Sequence, residues 1–303
     1  MSASSPAPEQ APDRILQRLD WQVVRRLDGL LQGDYRSLFH GNGLDFADLR
    51  EYQPGDDVRY IDWNVTARMD APYVRQYLED REITAWFLLD LSPSVDFGTV
   101  DAERAKRTVL VDFVTTLARL LTRHGNRVGA MFYGDRVGRT IPARGGRLQV
   151  LRLIDELQRQ PRLARSRSTE LAPLVEAGRR TIKRRSVVFL ISDFISAPGW
   201  ERPLHQLNAR HDVVAVRLFD PREVDLPDVG PVILEDAETG EQLYVDTHDR
   251  AFRRRFAEAA HERAEVLAAA FGRAGVDAVS LSTDEDLVRA IVRMATLRRR
   301  RRT

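Results

Sequence analysis

"ITAWFLLDLSPSVDFG", Ile83 to Gly98, decides how this chain is read. The run to Asp90 has the length of a strand. It is apolar on both of its faces, as a strand buried between two layers must be. It ends in Asp90, and Ser92 and Ser94 follow at alternate positions. Oxygen-bearing side chains beyond the carboxyl end of a buried strand sit where open α/β sheets bind ligands. A turn leading into a capped helix would use the same residue types, so the rest of the chain has to decide between the two.

A second run of the same kind, "SVVFLISDF", ends in Asp193. Between and beyond the two, helical and strand patterns alternate. Helices are expected at Asp101–His124 (ending at Gly125), Leu148–Gln158, Glu170–Thr181 (capped by Thr169 or Ser168), Trp200–Arg210, Arg250–Arg273 and Asp284–Arg298 (capped by Asp284). Strands are expected at "RVGAMFYG", at a shorter "VGRTIP" beside it, at "DVVAVRLFD" and at "VDAVSLS". "PVILEDAETGEQLYVD" reads as a hairpin about Thr239-Gly240. This alternation predicts an α/β fold: a doubly wound, mostly parallel sheet, Rossmann-like, with helices on both faces. An amphipathic helix is expected at Asp13–Leu31, with Ile15, Leu16, Leu19, Val23, Leu27 and Leu30 on its apolar face. A Gly-, Asp- and aromatic-rich segment of turns and short strands follows it and is expected to pack on the sheet. The expected organisation is a disordered tail over 1–12 and the N-terminal helix and irregular segment over 13–81. The sheet domain takes 82–298, with a hairpin insertion at about 230–247, and 299–303 form a basic tail.

Composition narrows the function. The 303 residues include 47 basic and 45 acidic ones, and a net charge of +2 argues against a nucleic-acid binder. Only Lys106 and Lys183 are lysines, so 45 of the 47 basic residues are arginine (47 − 2). The absence of cysteine excludes disulfides and thiolate metal sites. No apolar run approaches the ~20 residues of a membrane helix, and the N-terminus lacks the pattern of a secretory signal. A cytoplasmic protein without membrane insertion is expected. The arginines Arg298 to Arg302 read as a solvated helix end. The six histidines show no ligand spacing and read as solvated or capping.

If the two apolar strands are neighbours, Asp90 and Asp193 converge, and Ser92, Ser94 and Thr169 add hydroxyls from adjoining loops. Such hard oxygens suit magnesium. Asp90-Leu91-Ser92-Pro93-Ser94 resembles the Asp-x-Ser-x-Ser motif of von Willebrand factor A-like domains. Thr169 and Asp193 fall where those domains carry their loop threonine and final aspartate. The resemblance implies a metal-ion-dependent adhesion site with Asp90, Ser92, Ser94, Thr169 and Asp193 as ligands of Mg²⁺, Mn²⁺ or Ca²⁺. Upstream, "LREYQPGDDVRYIDWNVTARMDAPYVRQYLEDRE" resembles the hallmark of the bacterial "domain of unknown function 58" family, which joins that hallmark to a von Willebrand A-like domain. In the hallmark, Arg50, Arg59 and Arg68 alternate with Asp57, Asp62 and Asp70, and Tyr52, Tyr60 and Trp63 are interleaved. This reads as an ion-paired, aromatic-anchored block.

The family resemblance implies action beside a MoxR-type AAA+ ATPase, in a chaperone-like or complex-assembly role with a further protein client. The expected function is therefore a non-enzymatic, metal-dependent interaction module that binds a partner's carboxylate. The alternative is a metal-dependent phosphohydrolase using Asp90. Against it, the second carboxylate that such phosphotransferases use as acid and base is replaced by Ser92. The sequence also has no Gly-x-Ser-x-Gly elbow and no Gly-x4-Gly-Lys loop.

Overall fold

Two units make up the molecule, one of residues 40–82 and one of residues 1–39 with 83–303. The computed structural model describes residues 11–30, 49–54, 56, 58, 61, 63–69, 71–75, 82–96, 105–163 and 169–300. Among the expectations above, the tail before residue 11, Gly55, Asp57, Arg59, Tyr60, Asp62, Asp70, Ser168 and residues 301–303 lie outside these.

The larger unit opens with Pro12–Leu19 (α1), a π-helical turn at Asp20–Val24, and Arg25–Leu30 (α2). The helix thus begins within the expected tail. The buried stripe is Ile15, Leu16, Leu19, Val23, Val24 and Leu27. A straight α-helix would rotate Val24 off that stripe, and the wider π turn keeps Val23 and Val24 both inward. Leu30, expected on the stripe, is 61% exposed. In the smaller unit, Leu49–Glu51 (β1) pairs antiparallel with Tyr73–Arg75 (β2). A helix that the sequence reading missed, Trp63–Met69 (α3), lies between them. Arg50 grips Asp56 through two hydrogen bonds of 2.8 and 2.7 Å. Trp63 is exposed, which corrects its reading as an anchor.

The sheet is built from Thr84–Asp90 (β3), Arg127–Tyr133 (β4), Val137–Arg144 (β5), Val187–Ser192 (β6), Asp212–Phe219 (β7) and, after the hairpin strands Pro231–Glu235 (β8) and Gln242–Asp246 (β9), Asp277–Ser282 (β10). The order across it is β10-β7-β6-β3-β4-β5. Counted along the chain this is 3-2-1-4-5-6, the doubly wound order. All neighbours are parallel except β4 and β5. At eight residues, β5 is longer than β4 at seven, not shorter as expected. The order reverses between β3 and β6, which pair in register with Leu89 opposite Ile191.

Alternation along β3 feeds two cores. Ala85, Phe87 and Leu89 join one with α1, α2, Lys106–Arg123 (α5), Arg147–Arg159 (α6) and Leu287–Arg300 (α10). Trp86 and Leu88 join the other with Leu171–Thr181 (α7), Glu201–Asn208 (α8) and Arg250–Ala274 (α9). The short Pro93–Asp96 turn of helix is α4. Each fully buried Phe or Leu contributes about 1.5–3 kcal/mol, which is why both runs had to be apolar throughout. A Cβ on Gly178 would meet the tip of the Leu88 side chain at 2.9 Å, so glycine there lets α7 pack on β3 without displacing it. The first core is laced to α1 and α2 by ion pairs of Arg18 with Asp112, Arg119 with Asp20 and Arg123 with Asp28.

The largest departures from the expected helix ends are at α5 and α10. Within the described residues α5 begins at Lys106, and Asp286 takes the capping role expected of Asp284, accepting from Arg289 N–H at 3.0 Å. Arg298 is fully buried against Asp212, which corrects its reading as part of a solvated helix end, and α10 runs on to Arg300, into the stretch expected as a tail. His211 is buried too; its burial lowers the ring's pKa, which favours the neutral form.

Candidate metal-binding site

The site lies beyond β3 and β6, at the reversal of strand order. Asp90 ends β3 at full burial. One of its oxygens accepts from Ser92 N–H at 3.0 Å and the other from the Ser192 hydroxyl at 2.6 Å. The hydroxyls of Ser92 and Ser94 meet at 3.1 Å. The residue skipping read from "DLSPS" thus has a local cause: the chain folds back at once, so that residues 90, 92 and 94 share one small volume.

Asp193 follows β6. One carboxylate oxygen accepts from Ile195 N–H at 3.0 Å and the other from the Lys106 ammonium at 3.1 Å. Lys106 is 1% exposed and also reaches Glu223 at 2.6 Å. Burial would lower its pKa, but the charges of Asp193 and Glu223 outweigh burial and hold the ammonium above its ordinary range. Among the described residues Asp90 has no such partner. Burial first, and the charge of Asp193 second, push its carboxyl up to about 7 in spite of the serine hydrogen bonds.

Thr169 does not cap α7. Glu170 stands at the cap position without a side-chain bond, and Leu171 N–H is met instead by the Ser196 hydroxyl at 3.1 Å. The Thr169 hydroxyl donates to the carboxylate of Glu238, in the turn of the β8–β9 hairpin. Its carbonyl accepts from Ser196 Oγ and Ala197 N–H, tying this loop to the one after β6. Tyr133, ending β4, accepts from Glu170 N–H at 3.1 Å. Burial raises its hydroxyl's pKa, and the charges of Asp90, Glu170 and Glu238 raise it further. Ser94, Lys106, Asp193 and Glu238 border one cleft of about 1070 Å³. Of the five expected ligands, Ser94 and Asp193 line this cleft with Lys106 and Glu238; Ser92 is tied to Ser94 and Asp90, Asp90 to Ser192, and Thr169 to Glu238.

Phe194 holds a left-handed backbone, φ 59°, unusual for a bulky residue and costing about 1–3 kcal/mol. Its N–H bonds Ser192 Oγ at 2.8 Å, and its ring packs on Trp200 and Phe271 at 5.5 and 4.9 Å. This strained step turns the chain sharply after β6 and aims Asp193 and Ser192 at the same place.

The donor set fits a hard divalent cation, since every side-chain donor is oxygen. A carboxyl raised by burial and by a neighbouring negative charge is the group a cation would hold ionised. Among the described residues no three His, Cys, Asp or Glu side chains cluster as a metal site, so hydroxyls would make up the shell. Sequence reasoning missed Lys106, whose one signal was being a lysine in an arginine-dominated chain. It missed Ser192 although that residue precedes Asp193 directly. Glu238 carried no local signal.

The family model described as "Protein of unknown function DUF58" matches residues 48–266. The chain is 40% identical over 285 residues to the uncharacterized protein Rv1480 of Mycobacterium tuberculosis, covering 94% of this chain and 89% of that one. The uncharacterized protein Mb1516 of Mycobacterium bovis matches to the same extent. Among solved structures, the conserved hypothetical protein BatB of Bacteroides thetaiotaomicron is 12% identical, with a TM-score of 0.46 over 72% of this chain and 99% of that one. Proximal thread matrix protein 1 from the mussel byssus, with a zinc-occupied MIDAS motif, is 18% identical, with a TM-score of 0.36 over 45% of this chain and 38% of that one.

Proposed function

Because this chain belongs to the DUF58 family, whose function is unknown, we propose its role from the site: a non-enzymatic protein-interaction module that holds a divalent cation and through it grips a carboxylate of a partner protein. The observation that carries this reading is Asp90. It is fully buried and drawn up to about 7 among serine hydroxyls, while the nearby ammonium is committed to Asp193 and Glu223.

Asp90, Ser92, Ser94, Thr169 and Asp193 would hold the cation. A cation bound by few charges and many neutral oxygens supplies unneutralised positive charge, which prefers an anionic oxygen to water. The chain's own part is to position the donors. Lys106 fixes Asp193, Ser192 fixes Asp90, and the Phe194 N–H on Ser192 Oγ fixes the turn after β6. Ser92 stands where a phosphotransferase would need a second carboxylate, and a hydroxyl there cannot serve as the acid and base. This favours adhesion over hydrolysis. The family resemblance makes a MoxR-type AAA+ ATPase the partner we propose, with magnesium as the cation and the cytoplasm as the compartment.

The test is co-precipitation with that ATPase in Mg²⁺ and in chelator, alongside Mg²⁺ titration calorimetry. Chelator, Asp90→Ala and Ser92→Ala should each abolish capture, and both variants should lose Mg²⁺ affinity while staying folded. Asp193→Ala is the poorer probe because it strands a buried ammonium. Capture that survives chelator and both variants overturns the reading. So does Asp90-dependent release of phosphate from a phosphoester, which would favour the hydrolase instead.

A further inference from the structure

The five proposed ligands offer a partner almost no surface: Asp90 and Ser92 are 0% exposed, Thr169 1%, Ser94 2% and Asp193 4%, with Ser94 and Asp193 at the wall of the cleft. Part of the cover comes from the chain itself. The β8–β9 hairpin projects its turn over the cleft, and the carboxylate of Glu238 receives the Thr169 hydroxyl.

That turn is built to present Glu238. Asp236 Oδ1 accepts from the N–H of Glu238 at 2.9 Å, from the N–H of Thr239 at 2.7 Å and from the Thr239 hydroxyl at 3.0 Å. The carbonyl of Asp236 accepts from Gly240 N–H at 2.8 Å, and its N–H closes on Glu241 O at 2.8 Å. Gly240 supplies the positive φ, 72°, that the turn needs. The hairpin is otherwise lightly held. Its strands pair with each other and not with the six-stranded sheet, and only Val245 among their residues is buried. A two-stranded hairpin is marginal alone, so it can lift without opening either core.

Resting on the adhesion reading above, we infer that Glu238 is the site's internal ligand: in the isolated chain its carboxylate, not a partner's, completes the cation's shell, and a partner's acidic side chain binds by displacing it. The geometry has the elements this needs. An acidic side chain lies on a loop ligand, it is presented by a rigid turn, and the turn is carried on an element with little to lose by moving.

Three measurements test this on the full chain: Mg²⁺ calorimetry, hydrogen exchange of residues 236–241 with and without Mg²⁺, and Mg²⁺ affinity in added acetate. Wild type should bind Mg²⁺ and exchange more slowly in the turn when loaded. Glu238→Ala, on an exposed turn that does not support the fold, should bind Mg²⁺ roughly tenfold more weakly, the scale for a group that supports a metal shell. Acetate should restore much of that loss in Glu238→Ala and change little in wild type. Equal Mg²⁺ affinity in wild type and Glu238→Ala, with no slowing of exchange in the turn, overturns this inference and leaves the adhesion reading standing. Failure of wild type to bind Mg²⁺, or unchanged affinity in Asp90→Ala, sinks the adhesion reading itself.

Discussion

Asp90 and Asp193 stand at the ends of two adjacent, parallel, buried strands, and the fold treats them oppositely. Asp193 is given a lysine, a backbone N–H and a place in an ion-paired chain that runs on to Glu223. Asp90 is given serine hydroxyls and a backbone N–H, and its carboxyl is driven up to about 7. Equivalent positions in a sheet therefore do not give equivalent chemistry. The sheet supplies convergence, and the side chain that arrives from a distant helix decides which carboxylate is neutralised from within and which is left wanting a cation.

The largest test of that contrast is Lys106→Met, which keeps the length and removes the charge. Asp193 and Glu223 would lose their ammonium in a buried setting, a loss worth about 3–5 kcal/mol. Urea melts in chelator should show it, and millimolar Mg²⁺ should recover part. A loss below about 1 kcal/mol would mean that Lys106 is not the group that sets Asp193 apart.

A smaller effect of opposite sign is expected at Asp90. In the unfolded chain this carboxyl ionises near its ordinary 3.8, and in the fold near 7. Between those values the folded state holds a proton that the unfolded state has released. Stability in chelator therefore falls as pH rises through that window, and is flat above it. Asp90→Asn removes the ionisation. It should stabilise the metal-free protein at pH 8 by about 1–3 kcal/mol, below the ceiling set by the span of the shift because its hydrogen bonds must be remade, and give no gain at pH 5. Equal melts of variant and wild type at pH 8 would erase the contrast.

Ser192→Ala is the mildest of the three. It deletes the donor to Asp90 and leaves Phe194 N–H without its acceptor, for a loss of about 1 kcal/mol by urea melt. Because the hydroxyl favours the ionised carboxylate, the variant's pH dependence should shift upward with it. A melt unchanged at every pH would show that Ser192 plays no part in holding Asp90.

Much of the fold could be read from single residues. The apolar runs ending in Asp90 and Asp193 named the two central strands because only a strand covered on both faces can afford no polar position. Thr239-Gly240 named the hairpin, since a tight turn needs a residue free to take positive φ. Where the reading missed, the deciding contact was non-local. Arg298 lies in a run of arginines that looks solvated, and only the approach of Asp212, 86 positions away, makes it core. Asp284 and Asp286 are both plausible caps two residues apart, and backbone path chose the second. Trp63 sits in a helix that the Gly- and Asp-rich neighbourhood concealed.

At the site the division is sharper. Asp90, Ser92 and Ser94 are brought together by one turn of chain, so their pattern was visible in five letters. Asp193 needed one further assumption, that β3 and β6 are neighbours. Lys106 arrives across 87 positions and Glu238 reaches Thr169 across 69. No periodicity records such meetings, because charge and hydrogen bonding act through space while sequence pattern reports only burial and local turns. The sequence by itself determined that two carboxylates and their hydroxyls would gather at the top of a parallel sheet. Tertiary structure alone decided which of them is paired with an ammonium, and that the Glu238 carboxylate of the same chain meets the Thr169 hydroxyl.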